Sequence, residues 1–205
     1  MRKLCWIFCW LAFAGLARAG QISAAGQMPA ADPNAVALLS FRLLAAGDLH
    51  FQTYSYGGGQ NAAGQLIAPG GFDPYLSVFL GIGSGATFLA SNDDGACPPG
   101  TPAPACADST LDLFNMPAGY YTLALTLPFN FSFAENLGSG TLGDGFIGLD
   151  ASFSDGACSG ICSNVYAFDV LSNRDLVAVP APATLLLVLA GLALLARRRP
   201  FEKES

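Results

Sequence analysis

Asn92-Asp93-Asp94-Gly95 is the densest group of metal-ligand oxygens in the chain, and Asp108 follows just beyond a segment bounded by Cys97 and Cys106. Calcium takes about six to eight oxygens, and neighbouring carboxylates on a tight loop supply several with little rearrangement. A Cys97–Cys106 bridge would pinch off the loop and bring Asp108 back toward Asp93 and Asp94. The expected metal site is therefore Asn92, Asp93, Asp94 and Asp108, with Ca2+ as the ion. Asn-Asp-Asp-Gly is also ordinary turn chemistry, in which side-chain oxygens satisfy backbone amides, and that use stays open beside the first. Ala90–Cys97 matches Ala151–Cys158 at six of eight positions, so both segments read as strand exits leading to a cysteine. Their flanks do not repeat, which speaks against a duplicated domain. Asp144, Asp150 and Asp155 form a more dispersed set that reads first as solvated loops.

Other chemistry is sparse. His50 is the only histidine and falls inside an expected strand, where a structural role is favoured. The chain has no G-x-S-x-G elbow, no HExxH and no phosphate-binding loop, the motifs that position nucleophiles, zinc and phosphates. Two carboxylates at the right separation could hydrolyse glycosides, but the acids here are nearly all aspartates beside glycines, as turns require. The reading is non-enzymatic. Tyr54, Tyr56, Tyr75, Tyr120 and Tyr166 could stack on sugar rings if they lined one face, although strand positions equally suit burial.

These residues need a scaffold, and the sequence describes one made of strands. Leu38–Leu44 and Leu49–Tyr56 are apolar runs separated by Ala45-Ala46-Gly47-Asp48, with Leu49, Phe51 and Thr53 on one face. Gly57-Gly58-Gly59 opens a flexible loop ending near Gln65. In Phe72–Leu80, Leu76, Val78 and Leu80 share a side, and Thr87–Ala90 starts another strand that Asn92-Asp93-Asp94-Gly95 ends. Leu111 and Leu113 face one way in Ser109–Phe114. In Tyr120–Leu127, Tyr121, Leu123, Leu125 and Leu127 alternate with Tyr120, Thr122, Ala124 and Thr126, the pattern of a half-buried strand. Phe129–Phe133, Phe146–Leu149 and Val165–Val170 complete the set. About nine short strands separated by glycine turns predict an all-β fold, one β-sandwich or jelly-roll-like domain over residues 36–178. Residues 20–35, small and polar with two prolines, read as a flexible leader.

Both ends read as targeting segments. Arg2-Lys3 precede the apolar stretch Leu4–Leu16, and Ala17-Arg18-Ala19 offers an A-x-A cleavage site, so residues 1–19 are an expected signal peptide with Gly20 as the mature start. At the other end, Val179-Pro180-Ala181-Pro182-Ala183-Thr184 leads into the apolar run Leu185–Ala196, then Arg197-Arg198-Arg199. Twelve residues of helix span roughly 18 Å, short of a ~30 Å hydrocarbon core, and the arginines favour a cytoplasmic far end. This order of Pro-x-Pro, apolar run and arginine cluster resembles the PEP-CTERM sorting signal of Gram-negative bacteria. The resemblance implies recognition by an exosortase-like enzyme over residues 179–199, with Pro180, Pro182, Arg197, Arg198 and Arg199 as the sorting residues. Residues 200–205 are then a cytoplasmic end. The family has glutamate between the prolines, whereas this chain has Ala181.

A second resemblance lies in the body. Gly71-Phe72-Asp73-Pro74-Tyr75-Leu76-Ser77-Val78-Phe79, Asn92-Asp93-Asp94-Gly95, Asp108-Ser109 and Pro117-Ala118-Gly119-Tyr120-Tyr121-Thr122-Leu123 occur in an order similar to that of bacterial pre-peptidase C-terminal β-sandwiches. That likeness implies an accessory, non-catalytic sandwich, in some members calcium-binding.

With both ends set aside, the exported body holds Arg42 and Arg174, no lysine, and thirteen carboxylates, for a net charge of −11. Such a field repels nucleic acid and attracts cations, so no nucleic-acid partner is expected. Four cysteines remain, an even number suited to an oxidising compartment. Of three connectivities, the local one, Cys97–Cys106 with Cys158–Cys162, is favoured. The expectation is an exported surface or extracellular-matrix protein, anchored transiently in the inner membrane, processed by signal peptidase and an exosortase-like enzyme, and associated with exopolysaccharide and biofilm. A calcium-dependent carbohydrate-binding module is the alternative. An ice-binding protein is the third reading, weakened by the lack of a repeated T-x-T ladder.

Overall fold

The computed structural model describes residues 20–29, 32–101, 107–150 and 163–180. The expected signal peptide with Ala17 and Ala19, the cysteines Cys106, Cys158 and Cys162, and the tail residues Pro182, Arg197, Arg198 and Arg199 lie outside the described residues.

Eleven strands occur among them: β1 Gln21–Gln27, β2 Ala37–Leu43, β3 Gly47–Thr53, β4 Gly59–Gln60, β5 Leu66–Ile67, β6 Tyr75–Leu80, β7 Thr87–Asn92, β8 Thr110–Met116, β9 Gly119–Thr126, β10 Val165–Ser172 and β11 Leu176–Val179. They form a four-stranded sheet in the order β1-β10-β3-β8, a five-stranded sheet in the order β11-β2-β9-β6-β7 and the small hairpin β4-β5. Every pairing is antiparallel. The all-β expectation is met. No helix among the described residues is long and apolar enough to cross a membrane.

The two larger sheets pack face to face, because alternate residues of each strand are apolar. Ile22, Leu49, Phe51, Phe168 and Val170 come from one sheet, and Phe41, Leu43, Leu76, Val78, Tyr121, Leu123 and Leu125 from the other. Phe41 meets Phe51 across the interface with ring centroids 6.1 Å apart and stacks on Tyr121 at 5.6 Å. The faces expected for β3, β6 and β8 are those observed, with Leu111 and Leu113 packed against the same core.

Three expectations need correction. Residues 20–35 are not a loose leader throughout, since β1 pairs with β10 over seven residues, from Gln21 opposite Leu171 to Gln27 opposite Val165. Ile22 and Ala24 enter the core from a strand otherwise made of small and polar residues. The loop after Gly57 is a built hairpin, in which Asn61 and Gln65 bond each other through both side-chain and backbone groups. Phe129–Phe133 and Phe146–Leu149 are not strands. The chain there makes one isolated bridge, Ser132 with Phe146, a single helical turn α1, Phe133–Asn136, capped by the Ser132 hydroxyl, and a 3-10 turn at Leu142–Asp144.

This segment lies over the outer face of the five-stranded sheet. Ala134, Leu142 and Phe146 pack there with Phe79, Phe88 and Ala124 as a second, smaller core. Consequently β9 is buried on both faces. Thr122, Ala124 and Thr126, the expected solvent side, are 1%, 0% and 0% exposed.

Candidate functional site

The register of the strands places the short connections, 44–46, 81–86, 117–118 and 173–175, at one end of the sandwich. The connections between β3 and β6, β7 and β8, and β9 and β10 leave and re-enter the strands at the other end. There Asp108 and Ser109, just before β8, meet the chain entering β6 and leaving β7.

Asp108 is fully buried. Its Oδ1 accepts from the Thr53 hydroxyl at 3.0 Å and the Tyr56 N–H at 3.2 Å, and its Oδ2 from the Gly57 N–H at 2.7 Å. Burial pushes the carboxyl pKa up from its ordinary value, and the donated hydrogen bonds oppose that shift. The carboxylate therefore serves as an acceptor for the turn after β3.

Asn92 contributes through its nitrogen. Its Nδ2 donates to the Thr110 and Asp94 carbonyls, each at 2.6 Å, tying the turn after β7 to β8. The Asp93 and Asn92 carbonyls and that of Pro74 all converge on the Ser109 hydroxyl, with Asn92 O at 3.1 Å. Asp94 is exposed. The structure thus brings Asn92, Asp93 and Asp108 to one place, but the convergent oxygens there are mainly backbone carbonyls. Among the described residues no group of three or more His, Cys, Asp or Glu is arranged to hold a metal. A hydroxyl has one hydrogen to share among three carbonyls, and a hard cation suits such an oxygen set.

A second buried carboxylate escaped the sequence reading. Asp169, between the core residues Phe168 and Val170 on β10, is fully buried. Its Oδ2 accepts from the Tyr54 hydroxyl at 2.8 Å and the Ala62 N–H at 2.7 Å, clamping the β4-β5 hairpin onto the sheet. Burial, then the bond to Asp169, pushes the Tyr54 pKa far up. The signal was present as a lone acid in the apolar run Val165–Val170.

Among the described residues neither arginine answers these acids. The Arg42 guanidinium lies 5.4 Å from the centre of the Tyr120 ring, and Arg174 donates to the Ala46 carbonyl at 3.1 Å. His50 Nδ1 lies 2.6 Å from Asp112 on the outer face of the four-stranded sheet. Tyr54, Tyr75, Tyr120 and Tyr166 do not line one exposed face. Tyr54 and Tyr75 are buried, Tyr166 stacks on Phe168 at 6.1 Å, and Tyr120 is the most open of these four. Cys97 is disulfide-bonded and is the one cysteine among the described residues.

A scan against known protein families finds no match for this chain, and a comparison with curated proteins finds none either.

Proposed function

We propose that the chain is an exported, non-catalytic surface or extracellular-matrix protein. In this reading a signal peptide carries it across the inner membrane, a short apolar helix over 185–196 holds it there, and an exosortase-like enzyme releases it into an exopolysaccharide-rich matrix. One observation carries the reading: the strands of the sandwich begin next to one expected processing signal and end next to the other. Its first strand starts at Gln21, one residue past the expected cleavage point, and its last ends at Val179, immediately before Pro180. The proposed Cys97–Cys106 and Cys158–Cys162 bridges suit the same compartment.

Intact mass and fractionation of the protein from producing cells test this. A product beginning at Gly20 and ending near Val179–Thr184 in the medium is the expected result. A product keeping Arg197–Arg199 in the inner membrane overturns it.

The second reading, a calcium-dependent carbohydrate-binding module, is favoured by the carbonyls of Pro74, Asn92 and Asp93 gathered at Ser109. Pull-down on the producer's polysaccharide separates the two, since binding abolished by chelator belongs to the module alone.

A further inference from the structure

The segment over the five-stranded sheet carries a cluster of exposed apolar side chains. Phe129, Phe133, Leu137 and Ile147 are 56%, 43%, 68% and 43% exposed. Phe133 and Leu137 lie one helical turn apart, and the backbone bonds Ile147 N–H to Phe131 and Phe133 N–H to Gly145 draw Ile147 beside them. The Phe129 ring packs edge-on against Phe131 at 6.1 Å, and Phe131 against buried Tyr75 at 4.9 Å, so the exposed ring has a rigid base. Phe129 also has φ 66°. A bulky residue persists in the left-handed region only where its surroundings impose it, and such positions concentrate at functional sites.

We propose that this patch is a foot that rests on the bilayer surface while the chain still carries its tail. The inference depends on the reading of residues 185–196 as membrane-inserted. Val179 lies opposite Ser40 on β2, so β11 runs toward the end of the sheet where β9 stops and the chain passes to Phe129. The five residues from Pro180 to Thr184 reach at most roughly 17 Å when fully extended. The end bearing Phe129 is thereby held close to the lipid. Aromatic and aliphatic side chains seat at the boundary between headgroups and acyl chains, and contiguous apolar patches mark such contacts. The body charge of −11 directs the foot to zwitterionic rather than anionic lipid. Contact by the foot alone is weak, so removing the tail frees the protein.

Trp6 and Trp10, the only tryptophans, lie in the expected signal peptide, so substitutions in the mature chain provide single-tryptophan probes. Phe129→Trp, Phe133→Trp and Ile147→Trp report on the patch. Phe114→Trp, at a residue 69% exposed on the other sheet, is the control. Each full mature chain, tail included, is reconstituted into phosphatidylcholine vesicles with brominated acyl chains. Flotation reports on the tail, and quenching reports on the foot. The expected result is that all chains float, that the three patch variants are quenched and blue-shifted, and that Phe114→Trp is unchanged. Anionic lipid should reduce the quenching. Chains that float with patch variants no more quenched than the control overturn the foot and leave the tail reading intact. Chains that do not float overturn both. A blue shift that tracks protein concentration and ignores bromination assigns the patch to a second copy of the chain, and also overturns the proposal.

Discussion

Replacing Asp108 should unfasten the loop end of the sandwich. In Asp108→Ala the Tyr56 and Gly57 N–H groups lose their acceptor, whereas the Thr53 hydroxyl still has the Ser109 carbonyl at 3.4 Å. A buried donor left unsatisfied costs about 1–3 kcal/mol. Two such donors, less the relief of a buried charge, give a loss of about 3 kcal/mol, or roughly 10 °C in Tm for a domain of this size. Asp108→Asn keeps one acceptor oxygen and turns an NH2 toward the other amide, so about half that loss is expected. Urea melts of residues 20–180 measure both. The pH dependence gives the sharper check. Because burial raises the folded pKa of Asp108 above its ordinary 3.8, its titration contributes stability that is fully present below pH 3.8 and lost as pH rises through the folded value. Wild type should therefore gain on Asp108→Asn as pH falls from 7 toward 4. If wild type instead loses ground over that window, the amide bonds outweigh burial and the reasoning is refuted.

Other outcomes follow from the same contacts. Tyr54→Phe leaves buried Asp169 with the Ala62 N–H on Oδ2 and should cost about 1–3 kcal/mol; an unchanged urea midpoint would contradict the clamp. A Cβ on Gly71 would come within 2.2 Å of the Ser55 carbonyl oxygen and 2.6 Å of that of Val165, both backbone atoms. Gly71→Ala should accordingly destabilise by about 2 kcal/mol or more, read by thermal melting. The hydroxyls of Tyr54, Tyr75 and Tyr121 are pushed above their ordinary pKa of 10.0, chiefly by burial. Their contribution is present below pH 10 and lost as pH rises through the folded values, so spectrophotometric titration should show them ionising together with unfolding. Phe129→Gly relieves a left-handed backbone worth about 1–2 kcal/mol and gives back part of that through the freer unfolded chain. Its Tm should move by no more than a few degrees, since the ring is exposed.

Strands β6 and β8 were legible because their alternation is plain, in Leu76, Val78 and Leu80 and in Leu111 and Leu113. Phe129–Phe133 misled for a physical reason. Its phenylalanines alternate with Asn130 and Ser132, but it is the polar pair that is fully buried. Asn130 accepts from the Gly148 N–H at 3.0 Å and Ser132 caps α1, so the periodicity is inverted and no ladder forms. β1 was missed because Gln21-Ile22-Ser23-Ala24-Ala25-Gly26-Gln27 has one large apolar residue; tertiary pairing, not propensity, makes it a strand. A Cβ on Gly26 would come within 2.6 Å of the Tyr166 hydroxyl, so the glycine leaves room for that side chain. At the site, sequence brought the right loops together but could not show which atoms face inward. Asp108 turns its carboxylate to the amides of Tyr56 and Gly57, and Asn92 offers a nitrogen.

The pairing of β1 with β10 also sets a timetable. Gln21, at the start of the body, finds its partner in Leu171, close to its end. The four-stranded sheet therefore cannot close at its edge until nearly the whole body is available, and pairings so distant in sequence form slowly. A chain built this way acquires its final shape only when its two distant ends meet.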